Sequence, residues 1–412
     1  MSDKTMHTTD VKSLIKNNIR NYSMFIMLVV IMIIFAVLTN GVNLYPRNFI
    51  NIFFQNSYVL ILAVGMVMII ITQNIDLSVG AVCAFVGALS AMVYNLLTGI
   101  PWMPSGIAMV ITILASIAMG VVIGAYQGSW VAFGKMPAFI VTLSGMLLFR
   151  GLTYIVTSIS TGAPTPVSLS DTGYSLMATG VLDEVLKTKK IGPYLPLSFI
   201  AAIIILAFFF VASFIGRKKK IDNDFEVAPL PLFITKLVII SVLVLGLAER
   251  FARDRGLPII VLVLGITIFA FHFILKNTVF GRYIYAVGGN PRSAKLSGIN
   301  SEMVIFIVFC FMGGLTGLAA VVFTGYMNSA LPQSGNLFEL DAIAACYIGG
   351  VSAGGGIGTV VGVIIGGLVM AAINNGMVIM NMSNHLQYVV KALVLILAVF
   401  YDVYTRRKSG LG

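Results

Sequence analysis

The sequence predicts an all-α, polytopic membrane protein with about ten to twelve membrane-spanning helices, some of them re-entrant or broken. Hydrophobic residues make up 58% of the 412 residues and charged residues only 10%, whereas an average soluble protein has about 25% charged residues. Apolar windows of about 18 residues or more recur along the chain, and each can cross roughly 30 Å of hydrocarbon. The alternating pattern of β-barrel strands is absent from the sequence, and helices satisfy their backbone groups internally.

Twelve apolar segments are candidate spans, and two of them, 234–248 and 338–352, are short for a crossing. The twelve segments are 22–39, 51–73, 79–97, 106–126, 137–157, 196–216, 234–248, 257–275, 303–325, 338–352, 357–380 and 387–404. With the N-terminus in the cytoplasm, most Lys and Arg residues of the connections fall on the cytoplasmic side, as is usual. The lysines between 187 and 190 are an exception, in a long outer loop.

This assignment predicts one transmembrane domain over residues 22–405, flanked by cytoplasmic tails over 1–21 and 406–412. The net charge of +11 is attributed to cytoplasmic loops rather than to nucleic-acid binding. The cysteines, Cys83, Cys310 and Cys346, lie in apolar segments without a CxxC pair, and with three histidines they form no metal-binding pattern. A GxxxxGK[ST] motif is absent from the sequence, so we expect neither nucleotide binding nor another cofactor in this chain.

The first unusual stretch is ITQNIDLSVGAV, from Ile71 to Val82, which places Asn74, Asp76 and Ser78 between long apolar segments. Asp and Ser are good N-cap residues, and a carboxylate is favoured at a helix N-terminus. One interpretation is that Asp76 or Ser78 caps the following helix at a break within the membrane. The other, compatible with it, is that the break lines a translocation path, because broken helices at membrane depth border cavities.

A second stretch contains seven glycines between 349 and 362. It predicts a tight break between two packed helices, although glycines used only for close helix packing are the alternative. Glu339 and Asp341 begin this segment and are candidate caps. The two interrupted regions, 71–82 and 349–359, are candidate partners in a repeated architecture around a central path.

A cytoplasmic loop over 280–302 contains signals for a short helix. Asn290 suits the N-cap, Pro291 the first helical position and Gly298 the C-terminal stop. The predicted helix has about two turns and carries Arg292 and Lys295. Such a helix is unstable alone, so it needs a surface on which to dock; an ordinary loop feature is the alternative.

Four ordered motifs, NIDLSVG, KMPAFIVTLSGMLLFRG, GRYIYAVGGNPRSAKLSGIN and LDAIAACYIGGVSAGGGIGTVVG, together resemble the permease subunits of bacterial monosaccharide ABC importers. The resemblance runs over about residues 22–405, and the extended 158–236 region is most similar to xylose and multiple-monosaccharide permeases. It implies a multi-pass pore of the cytoplasmic membrane, homodimeric or occasionally heterodimeric, that moves a monosaccharide. An extracytoplasmic sugar-binding protein would deliver the sugar, and a tandem ATPase subunit would hold ATP and Mg²⁺.

The resemblance also implies roles for individual residues. Residues of the helix breaks on the translocation path would be Asn74, Asp76, Ser78, Gly349, Gly350, Ser352, Gly355, Gly356 and Gly358. Residues that couple to the ATPase would be Ala286, Gly288, Asn290, Arg292, Ala294, Gly298 and Ile299. Two positions depart from the family pattern: Gln127-Gly128 stands where relatives often carry Asn-Gly, and Pro291-Arg292-Ser293 replaces an acidic or Ala-rich stretch.

The family fold has about ten spans, so a re-entrant pair that includes 338–352 would explain the excess. An ion- or proton-coupled secondary transporter remains the alternative from another class, and an ABC permease for a nucleoside or quorum signal remains a related one. The residues do not identify the sugar, because selectivity in this class is expected mostly from the binding protein.

Overall fold

The structure is a computed structural model that describes residues 11–159, 161–223, 225, 227 and 229–408, with side chains described between 24 and 400. The terminal residues of the two predicted tails, 1–10 and 409–412, lie outside the described residues. The helices in chain order are α1 (Val11–Leu38), α2 (Pro46–Ile71), α3 (Val79–Thr98), α4 (Ser105–Ala132), α5 (Ala138–Ser158), α6 (Leu176–Thr179), α7 (Leu182–Val185), α8 (Pro196–Asp222), α9 (Leu230–Arg253), α10 (Ile259–Asn277), α11 (Val279–Gly289), α12 (Pro291–Leu296), α13 (Ser301–Met327), α14 (Phe338–Ile348), α15 (Val360–Ile379) and α16 (Asn384–Lys408). A short 3₁₀ helix covers Val42–Leu44, and β1 (Val167–Ser168) pairs antiparallel with β2 (Ser329–Ala330).

The all-α prediction is confirmed. In the described part of the chain, nine helices are long and apolar enough to cross a membrane: α2, α3, α4, α5, α8, α9, α10, α13 and α15. The described apolar parts of α1 and α16, Met24–Leu38 and Asn384–Phe400, are shorter. The short span predicted at 234–248 is part of the longer helix α9 in the structure. The short span predicted at 338–352 is instead an 11-residue helix, α14.

Contacts divide the described chain into two compact units. The smaller unit contains Leu44–Ile50 and Val181–Pro258, and the larger contains Met24–Asn43, Asn51–Gly180 and the chain from Ile259 onward. In the larger unit, α2 is the most buried span, and α4 packs closely along α13. A Cβ on Gly120 of α4 would overlap the carbonyl oxygen of Gly313 on α13, so these backbones touch. Small residues at such a seam allow close helix packing in lipid.

The segment that ends in α14 runs between opposite faces of the larger unit. At one end, β2 pairs with β1, which belongs to the connection that follows α5. At the other end, the turn after α14 hydrogen-bonds to Ile71 at the end of α2. The connection 331–337, which is mostly turn, and an 11-residue helix therefore make this passage, where a single long helix would be usual. The predicted broken helix is thus present, as a helix of half the usual length with a non-helical approach.

Candidate functional site

The break between α2 and α3 is a non-helical stretch that combines exposed residues, such as Gln73, with buried polar ones. Thr72 continues the end of α2 by donating its hydroxyl to the Ile69 carbonyl at 2.9 Å. Asn74 Nδ2 then donates to the Thr72 carbonyl at 2.9 Å. Asp76 and Ser78, which follow, are only 4% and 1% exposed. Local side-chain bonds therefore replace the helical hydrogen bonds that the break interrupts, as backbone at membrane depth requires.

The Asp76 carboxylate organises the end of this break. Its Oδ1 accepts the Ser78 N–H at 2.8 Å and the Ser78 hydroxyl at 2.7 Å. Ser78 occupies the N-cap position of α3, but its side chain makes no cap bond to the first turn. The predicted cap is therefore wrong in its detail. Neither side chain accepts an N–H of the helix itself, and Asp76 instead orders the residue that precedes α3.

Gln127 of α4 completes the cluster. The side-chain atom placed as its Oε1 lies 3.0 Å from Ser78 Oγ. The single Ser78 proton already serves Asp76, and Gln127 Nε2 is buried without a partner. Exchanging the amide O and N of Gln127 removes the competition for the Ser78 proton, since the Gln127 N–H then donates to Ser78 Oγ, and leaves the amide oxygen at the position without a partner. We assign this orientation on the hydrogen-bond network, as is usual for amides. The Gln127 departure noted in the sequence thus lies at the predicted break.

Two further buried carboxylates lie in α14, and neither occupies its N-cap position. The N-cap position is Leu337, with φ 65°, and both carboxylates lie in the first turn, where that of Glu339 accepts its own backbone N–H. Asp341 Oδ2 instead pairs with Lys391 Nζ of α16 at 2.8 Å. Glu339 has Arg150 of α5 among its electrostatic neighbours. The Lys391 ammonium compensates the Asp341 carboxylate, whose charge would be costly to bury alone.

Arg150 also supports the non-helical approach to α14. Its guanidinium donates to the carbonyl oxygen of Ser334, in the turn between β2 and α14. The Ser334 hydroxyl accepts the N–H of Leu331 at 3.2 Å. Side-chain bonds therefore stabilise this approach to α14 where backbone partners are missing.

The glycine-rich run forms the turn between α14 and α15, as predicted. Gly350, Gly355 and Gly356 have φ of 76°, 77° and 71°, a region that other residues rarely adopt. A Cβ on Gly355 would also lie 2.7 Å from the Gly288 carbonyl oxygen and 2.8 Å from that of Ile71. The turn therefore requires glycine for both conformation and space. Of the other predicted residues, Gly349 directly follows α14 and Ser352 is fully buried, its N–H donating to the Ile357 carbonyl at 2.9 Å.

Three segments that are distant in sequence meet at this turn. Gly356 N–H donates to the Ile71 carbonyl at the end of α2, at 2.9 Å. Gln73 Nε2, in the α2–α3 break, donates to the Gly288 carbonyl at the end of α11, at 2.7 Å. Tyr285 of α11 donates its hydroxyl to the Gly358 carbonyl at 2.7 Å. We call this meeting point of the break, the glycine turn and the end of α11 the three-way junction.

The three-way junction is closely packed and suited to transmit movement. A Cβ on Gly288 would overlap the carbonyl oxygen of Ile71, so the backbones of α11 and α2 are in direct contact. Burial raises the pKa of the Tyr285 hydroxyl, which keeps it a neutral donor to Gly358. A displacement of α11 therefore displaces both breaks, because densely packed backbones move together.

The predicted short helix after α11 is confirmed as α12. Asn290 Oδ1 accepts the Ser293 N–H at 3.0 Å, Pro291 opens the helix, and Gly298 has φ 82°. The surface of α12 is not uniform. Ala294 is 5% exposed and faces its own chain, whereas Leu296 is 90% exposed.

The other residues predicted for coupling divide in the same way. Gly288 is buried and Ala286 and Ile299 are half-buried, whereas Asn290, Arg292 and Gly298 are exposed. Lys295 forms an ion pair of 2.9 Å with Glu302 in the first turn of α13. The structure thus supplies a docking surface for α12 within the chain, on its Ala294 side, and leaves Leu296 uncovered.

An open cavity of about 570 Å³ lies beside the α2–α3 break. Its lining combines amide and charged groups with apolar ones, and includes Gln73, Asn74, Lys135, Phe139 and Glu302. Asn74 is thus the predicted path residue that borders open space, while Asp76 and Ser78 are buried behind it. Among the described residues, His, Cys, Asp and Glu form no group of three that could hold a metal ion.

Several residues of the site were missed by sequence reasoning. Gln127 was noted only as a departure from a family pattern, and Leu296 was not considered. Arg150 and Lys391 had a usable signal, because lone cations in apolar segments need buried partners. Their partners, Ser334 and Asp341, are far away in sequence and could not be deduced from spacing.

Comparison with known proteins places this chain in a family. The model of the family described as branched-chain amino acid transport system / permease component matches residues 48–222 and 219–399. The xylose transport system permease protein of Haemophilus influenzae is 36% identical over 393 residues, covering 95% of this chain and 98% of that protein.

Two relatives from Escherichia coli strain K12 extend the comparison. Its xylose transport system permease protein is 36% identical, covering 95% of this chain and 94% of that protein. Its ribose import permease protein is 32% identical, covering 86% and 85%. The search of solved structures gave no match. The chain therefore belongs to the family of membrane permease components of transport systems that this family model describes.

Proposed function

We propose that this chain is the transmembrane permease of an ATP-driven importer that moves a monosaccharide across the bacterial cytoplasmic membrane. The sugar is a xylose-like pentose or one of several monosaccharides, since relatives over nearly the whole chain are named for xylose and ribose transport. The proposed partners are a second copy of the permease, a tandem ATPase that holds ATP and Mg²⁺, and an extracytoplasmic sugar-binding protein.

The observation that carries this proposal is the three-way junction. The end of α11, at Gly288, leads directly into α12 and contacts both breaks of the membrane region through the Ile71 and Gly355 backbones. A protein that pushes on α12 from the cytoplasm would therefore move the two non-helical segments at the same time. This is the mechanical connection that an importer driven from outside its own chain requires.

The exposed part of α12 is the proposed contact with the ATPase. Leu296, which is 90% exposed at the helix end, can act as an aliphatic anchor in a pocket on a partner. Arg292 is also exposed and adds a positive charge at the start of the same helix. Ala294, by contrast, lies against its own chain, so its role is to seat α12 rather than to touch the ATPase.

Leu296→Asp tests this coupling surface. We expect at least a tenfold loss of sugar-stimulated ATP hydrolysis by the assembled complex, with normal insertion of the permease, because the side chain packs on nothing in its own chain. Leu296→Met keeps an apolar anchor and is the matched control, expected to act as wild type. Full sugar-stimulated hydrolysis by the Asp variant would show that ATPase contact is made elsewhere.

A secondary transporter is the second candidate, and the buried carboxylates of Asp76, Glu339 and Asp341 are the observation that favours it. Proton-coupled carriers use such groups. The bonding of Asp76 to Ser78 and of Asp341 to Lys391 accounts for two of the three without proton transfer. The importer is therefore the better-supported function.

A further inference from the structure

The outer end of the smaller unit carries positive charge against the usual bias. Lys187, Lys189 and Lys190 lie in the connection before α8, on the side where the topology predicted from the sequence has few cations. All three are exposed, and no carboxylate forms an ion pair with them among the described residues. Arg250 and Arg253, by contrast, both contact Glu249. The three lysines are thus available to an external anion.

The same segment exposes large apolar side chains on both sides of the lysines. Val185, Leu186 and Ile191 are 49%, 58% and 71% exposed. Ile191 lies five residues before Pro196, where the apolar helix α8 begins, so the segment is close to the membrane boundary. Lysines beside exposed aliphatic residues at that boundary are typical of a segment that lies in the headgroup layer.

Hydrogen bonds hold this segment in place. Asp183, which is buried, accepts the Leu257 N–H at 3.0 Å and the Thr188 hydroxyl at 2.7 Å. Ile191 and Tyr194 pair through their backbones, and Arg253 stacks 5.7 Å from the Tyr194 ring centroid. Aromatic and basic residues in this arrangement are common at membrane interfaces. The lysines are therefore presented from a fixed loop.

We propose that the segment 185–191 binds anionic phospholipids of the outer leaflet. Val185, Leu186 and Ile191 would enter the upper acyl region, and the three lysine ammonium groups would contact headgroup phosphates. A soluble acidic protein is the competing occupant of a basic patch. The lipid is favoured because exposed aliphatic residues flank the lysines on both sides and the segment closely precedes a membrane helix, whereas an acidic protein would need only the charges.

Lipid selectivity is the first test. The full chain is first reconstituted in nanodiscs of phosphatidylcholine with a minor share of phosphatidylglycerol. It is then extracted with detergent, and the lipids that remain bound to the protein are measured. We expect phosphatidylglycerol to be enriched around the wild type, and the enrichment to fall at least about threefold in Lys187→Gln/Lys189→Gln/Lys190→Gln. The corresponding triple Arg variant keeps the charge and should keep the enrichment. Equal enrichment in wild type and Gln variant would overturn the proposal.

Insertion depth is the second test. In a Trp102→Phe/Trp130→Phe background, Ile191→Trp should be quenched by brominated lipids, whereas Leu296→Trp in exposed α12 should not. Quenching of the residue-191 tryptophan only by a water-soluble quencher would contradict membrane insertion. Unchanged lipid enrichment in the Gln variant, together with lost stimulation by the sugar-binding protein, would assign the lysines to protein docking and also overturn the proposal.

Discussion

The two breaks in the larger unit satisfy non-helical backbone by different means. At the α2–α3 break, polar side chains supply the hydrogen bonds: Asp76 accepts the N–H of Ser78, and Gln127 of α4 bonds to the Ser78 hydroxyl. At the α14–α15 turn, glycines with positive φ bring backbone onto backbone, with Gly356 bonded to Ile71. The first break should therefore be sensitive to loss of hydrogen bonds, and the second to added volume.

This difference matters because the breaks share the three-way junction. A side chain added at the glycine turn should displace α11 and α2 together. Loss of the Asp76 hydrogen bonds should instead disturb only the start of α3. Substitutions that separate the two effects can therefore test whether the junction or the carboxylate is the more important element for transport.

The largest effect is expected from added volume at the junction. In Gly288→Val, the new side chain overlaps the Ile71 carbonyl oxygen, and backbone cannot move aside as a side chain can. We expect a loss of about 3 kcal/mol in stability, measured by thermal unfolding in detergent, and loss of transport. Gly289→Val is the matched control, because a Cβ there meets nothing within 4 Å. Equal damage by both variants would show that helix propensity, not packing, explains the effect.

An intermediate effect is expected when the Asp76 acceptor is removed. Asp76→Leu leaves the buried N–H and hydroxyl of Ser78 without their acceptor, which costs about 1–3 kcal/mol. Transport should fail. Asp76→Asn keeps an acceptor oxygen and removes the charge, so folding should survive and transport should fall only partly. Sugar uptake in proteoliposomes measures both variants, and an inactive but fully folded Asn variant would require a role for the charge itself.

The smallest effect is expected at Gln127. Gln127→Leu removes one donor to Ser78 and should cost about 1 kcal/mol, with transport largely retained. Gln127→Glu should be worse, because a carboxylate cannot donate to Ser78 Oγ and adds a negative charge near Asp76. Thermal unfolding of the two variants decides the amide orientation. If the Glu variant is as stable as wild type, Gln127 accepts rather than donates its bond.

The sequence predicted much of the local structure because local signals control it. Asn290, Pro291 and Gly298 define α12 through capping geometry, and the glycine run predicts its turn through positive φ. The partners of buried charges could not be predicted in this way. Lys391 and Asp341 are 50 residues apart, and their pairing depends on how α14 and α16 pack.

The sequence also could not predict which side of a short helix is buried and which is exposed. Ala294 and Leu296 are two positions apart on one short helix, and yet one is buried and the other almost fully exposed. Six residues carry too little periodicity to show which side docks on the chain. Likewise, Asp76 was expected to cap α3, but it orders Ser78 just before the helix.

The most direct test of the account is the energy source for uptake. The permease is reconstituted in proteoliposomes with its ATPase and sugar-binding protein, and uptake of labelled xylose is measured with ATP inside, with and without an uncoupler. We predict uptake that requires ATP and the binding protein and is unaffected by the uncoupler. Uptake that continues without ATP and collapses when the proton gradient is dissipated would contradict ATP-driven import and would make the buried carboxylates the centre of a proton-coupled carrier.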